Sequence, residues 1–314
     1  MSTSPIPPDA LLRRLEWTVI RRLDGLLHGD YRTYFRGSGL DLADLREYQF
    51  HDDVRHIDWN VTARLATPYV REFNEERDLT AWFLLDLSGS VHFGSEKAQK
   101  SGVARDLVAV LARVLTRHGN RVGAMLYTDR VDTVLVPRSG RRHVLHLMHA
   151  IEQCTASPPR SPEGTRLGDL LAAAQSALTR RVMVFVVSDF VSAPGWQRPL
   201  AALAQRHDVV AVRLYDPLEM ALPDIGLMVV EDAETGEQVF VDTHDRGFRR
   251  RFAAIAVRRE RELRAALAAA GVDALELATV DDLADALMRF AELRKRRVQA
   301  LSGKPLPAHL RAAS

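Results

Sequence analysis

The chain has 314 residues, 46% of them hydrophobic and 27% charged, with 43 Lys and Arg against 41 Asp and Glu and a formal net charge of +2 at pH 7. This length can bury a full core in one large domain or two, and so even a charge balance excludes a chain that acts as a whole as an electrostatic magnet for nucleic acid or membrane. One cysteine, Cys154, excludes an internal disulfide framework and is expected as a small core residue; no stretch approaches the roughly 18 apolar residues of a membrane span, and Met1-Ser2-Thr3-Ser4-Pro5 does not begin a signal peptide, so the expected compartment is the cytoplasm.

Pro7 and Pro8 precede a helical pattern over 10–27, with Leu11, Leu12, Leu15, Val19, Leu23 and Leu26 at spacings of three and four. Gly29 and Gly37-Ser38-Gly39 break it, and 40–76 mixes strand-like and turn-like signals without a clean period. Residues 1–78 are therefore expected to pack beside a main domain rather than to fold alone. Strands and helices then alternate: strand 81–86, helix 97–118, strands 122–128 and 131–136, helices 142–153 and 166–179, strand 182–188, helix 196–206 and strand 208–214. Such alternation argues for an α/β fold with a doubly wound, mostly parallel sheet. The turn Tyr127-Thr128-Asp129-Arg130-Val131 reads as a hairpin that makes 131–136 an antiparallel edge.

After Asp216-Pro217 the pattern changes. Strands at 228–231 and 238–241 flank Ala233-Glu234-Thr235-Gly236 as a β-hairpin, and a helix over 246–270 ends at Gly271, the position of a left-handed cap. A strand at 274–277 and a helix at 280–294 follow. The main domain is expected over 79–298, with this hairpin and helix inserted around 217–270, and 299–314 as a disordered tail. Arginines crowd 246–264, and Arg294-Lys295-Arg296-Arg297 is a compact basic cluster. With Glu260, Glu262 and Glu292 among them, these read as solvated helix faces. The stacking aromatics of single-strand binders are nearly absent there, so nucleic acid is not an expected partner.

Asp86-Leu87-Ser88-Gly89-Ser90 directly follows the apolar run Ala81-Trp82-Phe83-Leu84-Leu85. A strand apolar on both faces belongs inside a parallel sheet, and ligands of such sheets collect beyond the carboxyl ends of the strands. Carboxylate and hydroxyl oxygens are hard donors that suit Mg²⁺ or Mn²⁺, although Asp, Ser and Gly also make an ordinary polar turn. Glu163-Gly164-Thr165 opens the apolar stretch 167–178, which places Thr165 as a helix cap or a metal-facing hydroxyl. A second buried strand, 182–187, is ended by Ser188-Asp189 as Asp86 ends the first. Asp86, Ser88, Ser90, Thr165 and Asp189 thus form a candidate set around one cation.

In this order the five residues resemble the metal-ion-dependent adhesion site of von Willebrand factor A domains, D-x-S-x-S followed by a distant Thr and a distant Asp. The resemblance implies that Ser88 and Ser90 bind Mg²⁺ (or Mn²⁺) directly, that Asp86, Thr165 and Asp189 hold it directly or through water, and that a carboxylate of a protein partner completes the octahedron. The segment Arg46-Glu47-Tyr48-Gln49-Phe50-His51-Asp52-Asp53-Val54-Arg55-His56-Ile57-Asp58-Trp59, running into Thr62-Ala63-Arg64 and Val70-Arg71-Glu72-Phe73, narrows the likeness. It is similar to the bacterial and archaeal family named domain of unknown function 58, which joins an R-x-Y-x-x-G-D-D-x-R-x-I-D-W-x-x-x-A-R element to a von Willebrand A-like domain. The similarity runs from Gly37 to Asp216, with His51 where the pattern has Gly and Val91 where Met commonly follows the second serine. It implies a MoxR-type AAA+ ATPase as partner, in chaperone-like assembly or maturation of other complexes.

Asp52, Asp53, Arg55, Asp58 and Arg64 read either as an ion-pair network locking the N-terminal segment, with Trp59 and Tyr48 as apolar anchors, or as a docking surface. Enzymatic readings lack parts. Ser88 stands where a D-x-D-x-T phosphotransferase needs its second acid, Leu87-Ser88-Gly89-Ser90-Val91 lacks the first glycine of G-x-S-x-G, and there is no G-x-x-x-x-G-K-[ST] loop. His143, His146 and His149 show no clear zinc spacing. The expectation is a non-enzymatic, metal-dependent protein–protein interaction module; a Mg/Mn-dependent hydrolase or phosphatase using the same cluster, and a metal-free scaffold, are the alternatives.

Overall fold

The computed structural model describes residues 7–20, 41–49, 57–65, 67–74, 79–95, 98–156, 164–231 and 237–301. In chain order the elements begin with α1 (Pro8–Leu15), β1 (Asp41–Glu47), α2 (Trp59–Leu65), β2 (Tyr69–Asn74), β3 (Thr80–Asp86), the short pair β4 (Gly94–Ser95) and β5 (Ala98–Gln99), and α3 (Lys100–Arg117). Then come β6 (Arg121–Tyr127), β7 (Val131–Arg138), α4 (Arg141–Thr155), α5 (Leu167–Ala177), β8 (Met183–Ser188), α6 (Gln197–Arg206) and β9 (Asp208–Tyr215). The last are β10 (Leu227–Glu231), β11 (Gln238–Asp242), α7 (Arg246–Ala269), β12 (Asp273–Ala278) and α8 (Leu283–Leu301).

The chain divides into two compact units, Phe35–Leu79 and the combination of Met1–Tyr34 with Thr80–Ser314. In the smaller unit β1 and β2 pair antiparallel, with a bulge between Leu42 and Asp44. Asp58 is buried there; its Oδ1 accepts from the Val61 N–H at 3.2 Å and its own N–H donates to the Tyr69 carbonyl at 2.8 Å. Its work is to start α2 and tie that helix to β2. Trp59, expected as an apolar anchor, is 68% exposed instead. Asp52, Asp53 and Arg55 lie outside the described residues, so the ion-pair network expected of them does too.

The larger unit holds a six-stranded sheet in the order β12-β9-β8-β3-β6-β7. All neighbours run parallel except β6 and β7, so β7 is the antiparallel edge that the sequence predicts. The chain starts at the centre with β3, crosses through α3 to β6 on one side, and later reaches β8 on the other. The winding therefore reverses between β3 and β8, which in open α/β sheets opens a crevice at the carboxyl edge.

Burial follows from pattern. β3 is apolar from Ala81 to Leu85 and β8 from Met183 to Val187, all of them buried, whereas burial in β7 alternates, leaving Val134 and Val136 exposed. On one face Trp82, Leu84, Val184 and Val186 pack against α5 and α6; on the other, Phe83 stacks on Phe185 with ring centroids 5.2 Å apart. Helix α1 packs on α3 and α4. Gly123 in β6 lets the edge come close: a Cβ there would meet the Leu135 carbonyl oxygen at 2.9 Å.

Several expectations shift. The first helix gives way at Glu16 to a π turn over Glu16–Ile20, and 21–27 lies outside the described residues. Helix α8 starts at 283, not 280, because Asp282 precedes it and accepts from the Asp285 N–H at 2.9 Å; it runs to 301 because Arg, Lys, Gln and Leu all favour helix, so 299–301 belong to it and not to a tail. Arg294 is not solvated: it is nearly buried and ion-paired to Asp208 and to Asp273. Glu260 is likewise buried and paired with Arg213, while Arg264 reaches Glu276. Cys154 is half-buried, not core. Gly271 does close α7 with a φ of 69°. Among the described residues no helix is long and apolar enough to cross a membrane.

Two buried histidines carry a pH consequence. His143 hydrogen-bonds the Val122 carbonyl through Nε2 at 2.7 Å, and burial holds it and His207 below their ordinary 6.5, the charge of Arg206 adding to the effect at His207. The unfolded chain takes up these protons as pH falls through that value, but the folded chain resists until lower pH, so both residues withdraw stability on acidification. His207→Leu should therefore be more stabilising, relative to wild type, at about pH 5.5 than at about pH 7.5. Urea unfolding at both pH values reads the difference directly; an equal advantage at the two would remove the argument.

Candidate metal site at the carboxyl edge of the sheet

Asp86 ends β3 fully buried. Its Oδ1 accepts from the Ser88 hydroxyl at 2.6 Å and from the Ser88 N–H at 3.1 Å, and its Oδ2 accepts from the Ser188 hydroxyl at 2.6 Å. A short 3₁₀ turn over Gly89–His92 then brings the Ser90 Oγ within 3.4 Å of the Ser88 Oγ. The arrangement is directional. Because Ser88 gives its proton to Asp86, its oxygen keeps lone pairs free to face a cation. Burial pushes the Asp86 carboxyl up to about 6, the Asp189 carboxylate beside it adds to this, and the bonds from Ser188 and Ser88 act against it.

Asp189 follows the end of β8. Its Oδ1 accepts from the Val191 N–H at 2.9 Å, and Phe190, between them, takes the left-handed conformation at φ 58°. That conformation is costly for a non-glycine residue; a bond from the Phe190 N–H to the Ser188 hydroxyl at 2.9 Å and packing of Phe190 on Trp196 hold it. Thr165 is buried, and its carbonyl accepts from the Ala193 N–H at 2.9 Å and the Ser192 hydroxyl at 3.0 Å, which brings it to the loop that Asp189 opens. Thr165 is not the cap of α5, as one sequence reading had it. That position is Arg166, and the Leu167 N–H is taken by the Ser192 hydroxyl at 2.9 Å. Glu163 lies outside the described residues.

Three participants escape the five-residue pattern. Ser188 is the second holder of Asp86. Lys100, the first residue of α3, is 1% exposed, and its Nζ donates to Asp189 Oδ2 at 2.7 Å and to Glu219 Oε1 at 2.6 Å. Burial alone would lower the lysine, but Asp189 and Glu219 outweigh it and hold the ammonium above its ordinary value. Glu219 comes from the turn Pro217–Glu219 after β9, where Asp216 and Glu219 form a capping box. Its signal, Asp216-Pro217-Leu218-Glu219, is legible.

Among the described residues no three of His, Cys, Asp and Glu gather into a group able to hold a metal. The candidate donors here are instead two carboxylates, Asp86 and Asp189, and three hydroxyls, Ser88, Ser90 and Thr165, all hard oxygens, a set that fits Mg²⁺ better than zinc. One part fits less simply: Asp189 is shared with an ammonium.

The family model described as "Protein of unknown function DUF58" matches residues 44–262. An uncharacterized protein of Mycobacterium tuberculosis is 37% identical over 291 residues, 91% of this chain and 90% of its own. Another, of Mycobacterium avium, is 40% identical over 172 residues, 53% of this chain and 96% of its own. Among solved structures, the conserved hypothetical protein BatB from Bacteroides thetaiotaomicron covers 69% of this chain and 99% of its own, at 16% identity and a TM-score of 0.45. The SpRpn10 VWA domain covers 68% and 95%, at 13% identity and a TM-score of 0.37. Matched over residues 44–262 by the family model and over 91% of its length by the Mycobacterium tuberculosis relative, the chain belongs to the DUF58 family.

Proposed function

We propose that this protein is a metal-dependent protein–protein interaction module, without catalytic activity of its own, that acts with a MoxR-type AAA+ ATPase in chaperone-like assembly or maturation of protein complexes. The observation that carries the reading is the Ser88 hydroxyl, turned by a 2.6 Å bond onto a buried carboxylate so that its lone pairs face Ser90. Ser88 and Ser90 would hold Mg²⁺ or Mn²⁺, with Asp86, Thr165 and Asp189 binding it directly or through water. The ion, when bound, supplies open coordination positions that a carboxylate of the partner can take, since Mg²⁺ keeps exchangeable waters in an octahedral shell. Family membership supports the choice of partner, and the position at the reversal of winding between β3 and β8 supports the choice of site.

Calorimetric titration of the full chain with Mn²⁺ tests the site. The double substitution Ser88→Ala with Ser90→Ala should weaken binding by about tenfold or more, or about 1.4 kcal/mol, while circular dichroism stays native. Capture of the host's own MoxR-type ATPase on immobilised protein should depend on Mg²⁺ and fail for that variant. Capture that persists unchanged in chelator would overturn the reading.

A further inference from the structure

A buried lysine at the first turn of a helix opposes two preferences at once. Full desolvation of an ammonium costs several kcal/mol, and the helix N-terminus repels positive charge. Lys100 stands at that position in α3 with its side chain 1% exposed, beneath the Phe93 ring at 5.8 Å. An apolar residue would extend the stripe of Ala104, Leu107, Leu111 and Leu115 that α3 already buries. What keeps the ammonium there is a pair of carboxylates from two different strand ends, Asp189 after β8 at 2.7 Å and Glu219 after β9 at 2.6 Å. The two differ in kind: the Asp189 side chain is 1% exposed and fixed by the Val191 N–H, whereas that of Glu219 is 28% exposed and sits on a short turn.

We propose that Lys100 is a built-in counter-cation of the metal site, holding Asp189 when no divalent ion is bound, so that an arriving ion takes Asp189 from it and leaves the ammonium to Glu219. This rests on the reading of Asp86, Ser88, Ser90, Thr165 and Asp189 as a metal site. The Lys100 ammonium meets two carboxylates, Asp189 and Glu219, and the Asp86 carboxylate lies beside Asp189; with all four charged the remainder is two negative charges, which one Mg²⁺ or Mn²⁺ neutralises. The bridge thereby sets the affinity of the site and links its filling to the turn that carries Glu219. A metal-free protein keeps its two strand ends together through Lys100 instead of flying apart on uncompensated charge.

Mn²⁺ titration of the full-length wild type, Lys100→Met and Glu219→Gln, read by calorimetry and by thermal unfolding with and without the ion, tests this. Lys100→Met removes the competitor and should bind Mn²⁺ at least about tenfold more tightly than wild type, with a lower Tm without metal and a larger rise on saturation. Glu219→Gln removes the place to which the ammonium retreats and should bind more weakly than wild type. Binding by Lys100→Met alone, with none by wild type, also supports the proposal. If wild type binds and Ser88→Ala does not, yet Lys100→Met and Glu219→Gln match wild type, Lys100 has no such role and the metal reading stands. If none of these proteins binds the ion, both fall. Should Lys100→Met fail to fold, Glu219→Gln, altered at a partly exposed position, decides alone: weaker binding supports the proposal and wild-type affinity overturns it.

Discussion

Asp189→Ala should lower the free energy of unfolding by about 3–5 kcal/mol, as is usual when one member of a buried ion pair is removed and its partner stays behind. Both side chains of the pair are 1% exposed, so the ammonium of Lys100 would lose its better-shielded partner and retain only the half-exposed carboxylate of Glu219. The same substitution takes away the acceptor of the Val191 N–H and loosens the turn at Phe190. Urea denaturation followed by circular dichroism measures the loss. Adding Lys100→Met to Asp189→Ala should restore most of it, because an ion pair replaced whole by apolar groups is often neutral, and the double-mutant cycle then gives the coupling directly. A loss below about 1 kcal/mol for the single change would mean that the ammonium finds water in the folded protein.

Phe83→Ala should cost a similar amount, about 3–5 kcal/mol, for a different reason. Phe83 is fully buried in the central strand and stacked on Phe185, between neighbours hydrogen-bonded on both sides, so little can move in to fill the space it leaves. Val134→Ala on β7, where the side chain is 51% exposed, serves as the contrast and should stay within about 0.5 kcal/mol of wild type. Equal effects at the two positions, measured by the same denaturation, would contradict the assignment of β3 to the centre of the sheet.

Those two strands also show what a reader of the sequence can see. Ala81 to Leu85 and Val182 to Val187 are continuous apolar runs bounded by polar turns, too short for a buried helix and rich in β-branched and aromatic residues, which points to the middle of a sheet. The edge was legible from the turn Tyr127-Thr128-Asp129-Arg130-Val131 and not from the strand itself, because β7 alternates in burial while Val134 and Val136 stand at exposed positions. The five oxygen-bearing residues stood out because each follows or precedes such a run. Lys100 did not stand out, and it had a signal: it occupies a place on the apolar stripe of α3, where a charge has no business unless something answers it. Its answers, Asp189 and Glu219, are 89 and 119 positions away, and nothing local names them. Ser188 was passed over because a serine beside an aspartate at a strand end looks like turn chemistry; its bond to Asp86 exists only through the pairing of β3 with β8. The end of α8 was placed at 294, seven residues early, although the Arg, Lys, Gln and Leu that follow favour helix.

The bond between Asp86 and Ser188 spans 102 positions. Closing so long a loop is slow, and parallel pairing across it gives no reward until the intervening helices have formed. During translation β3 leaves the ribosome well before β8, so the newborn chain carries its serines and Asp86 for a time without the strand that steadies them. Under the proposed function, a cation met at that stage would find only Asp86, Ser88 and Ser90, and Thr165 and Asp189 would join them only once the polypeptide has been made past Asp189.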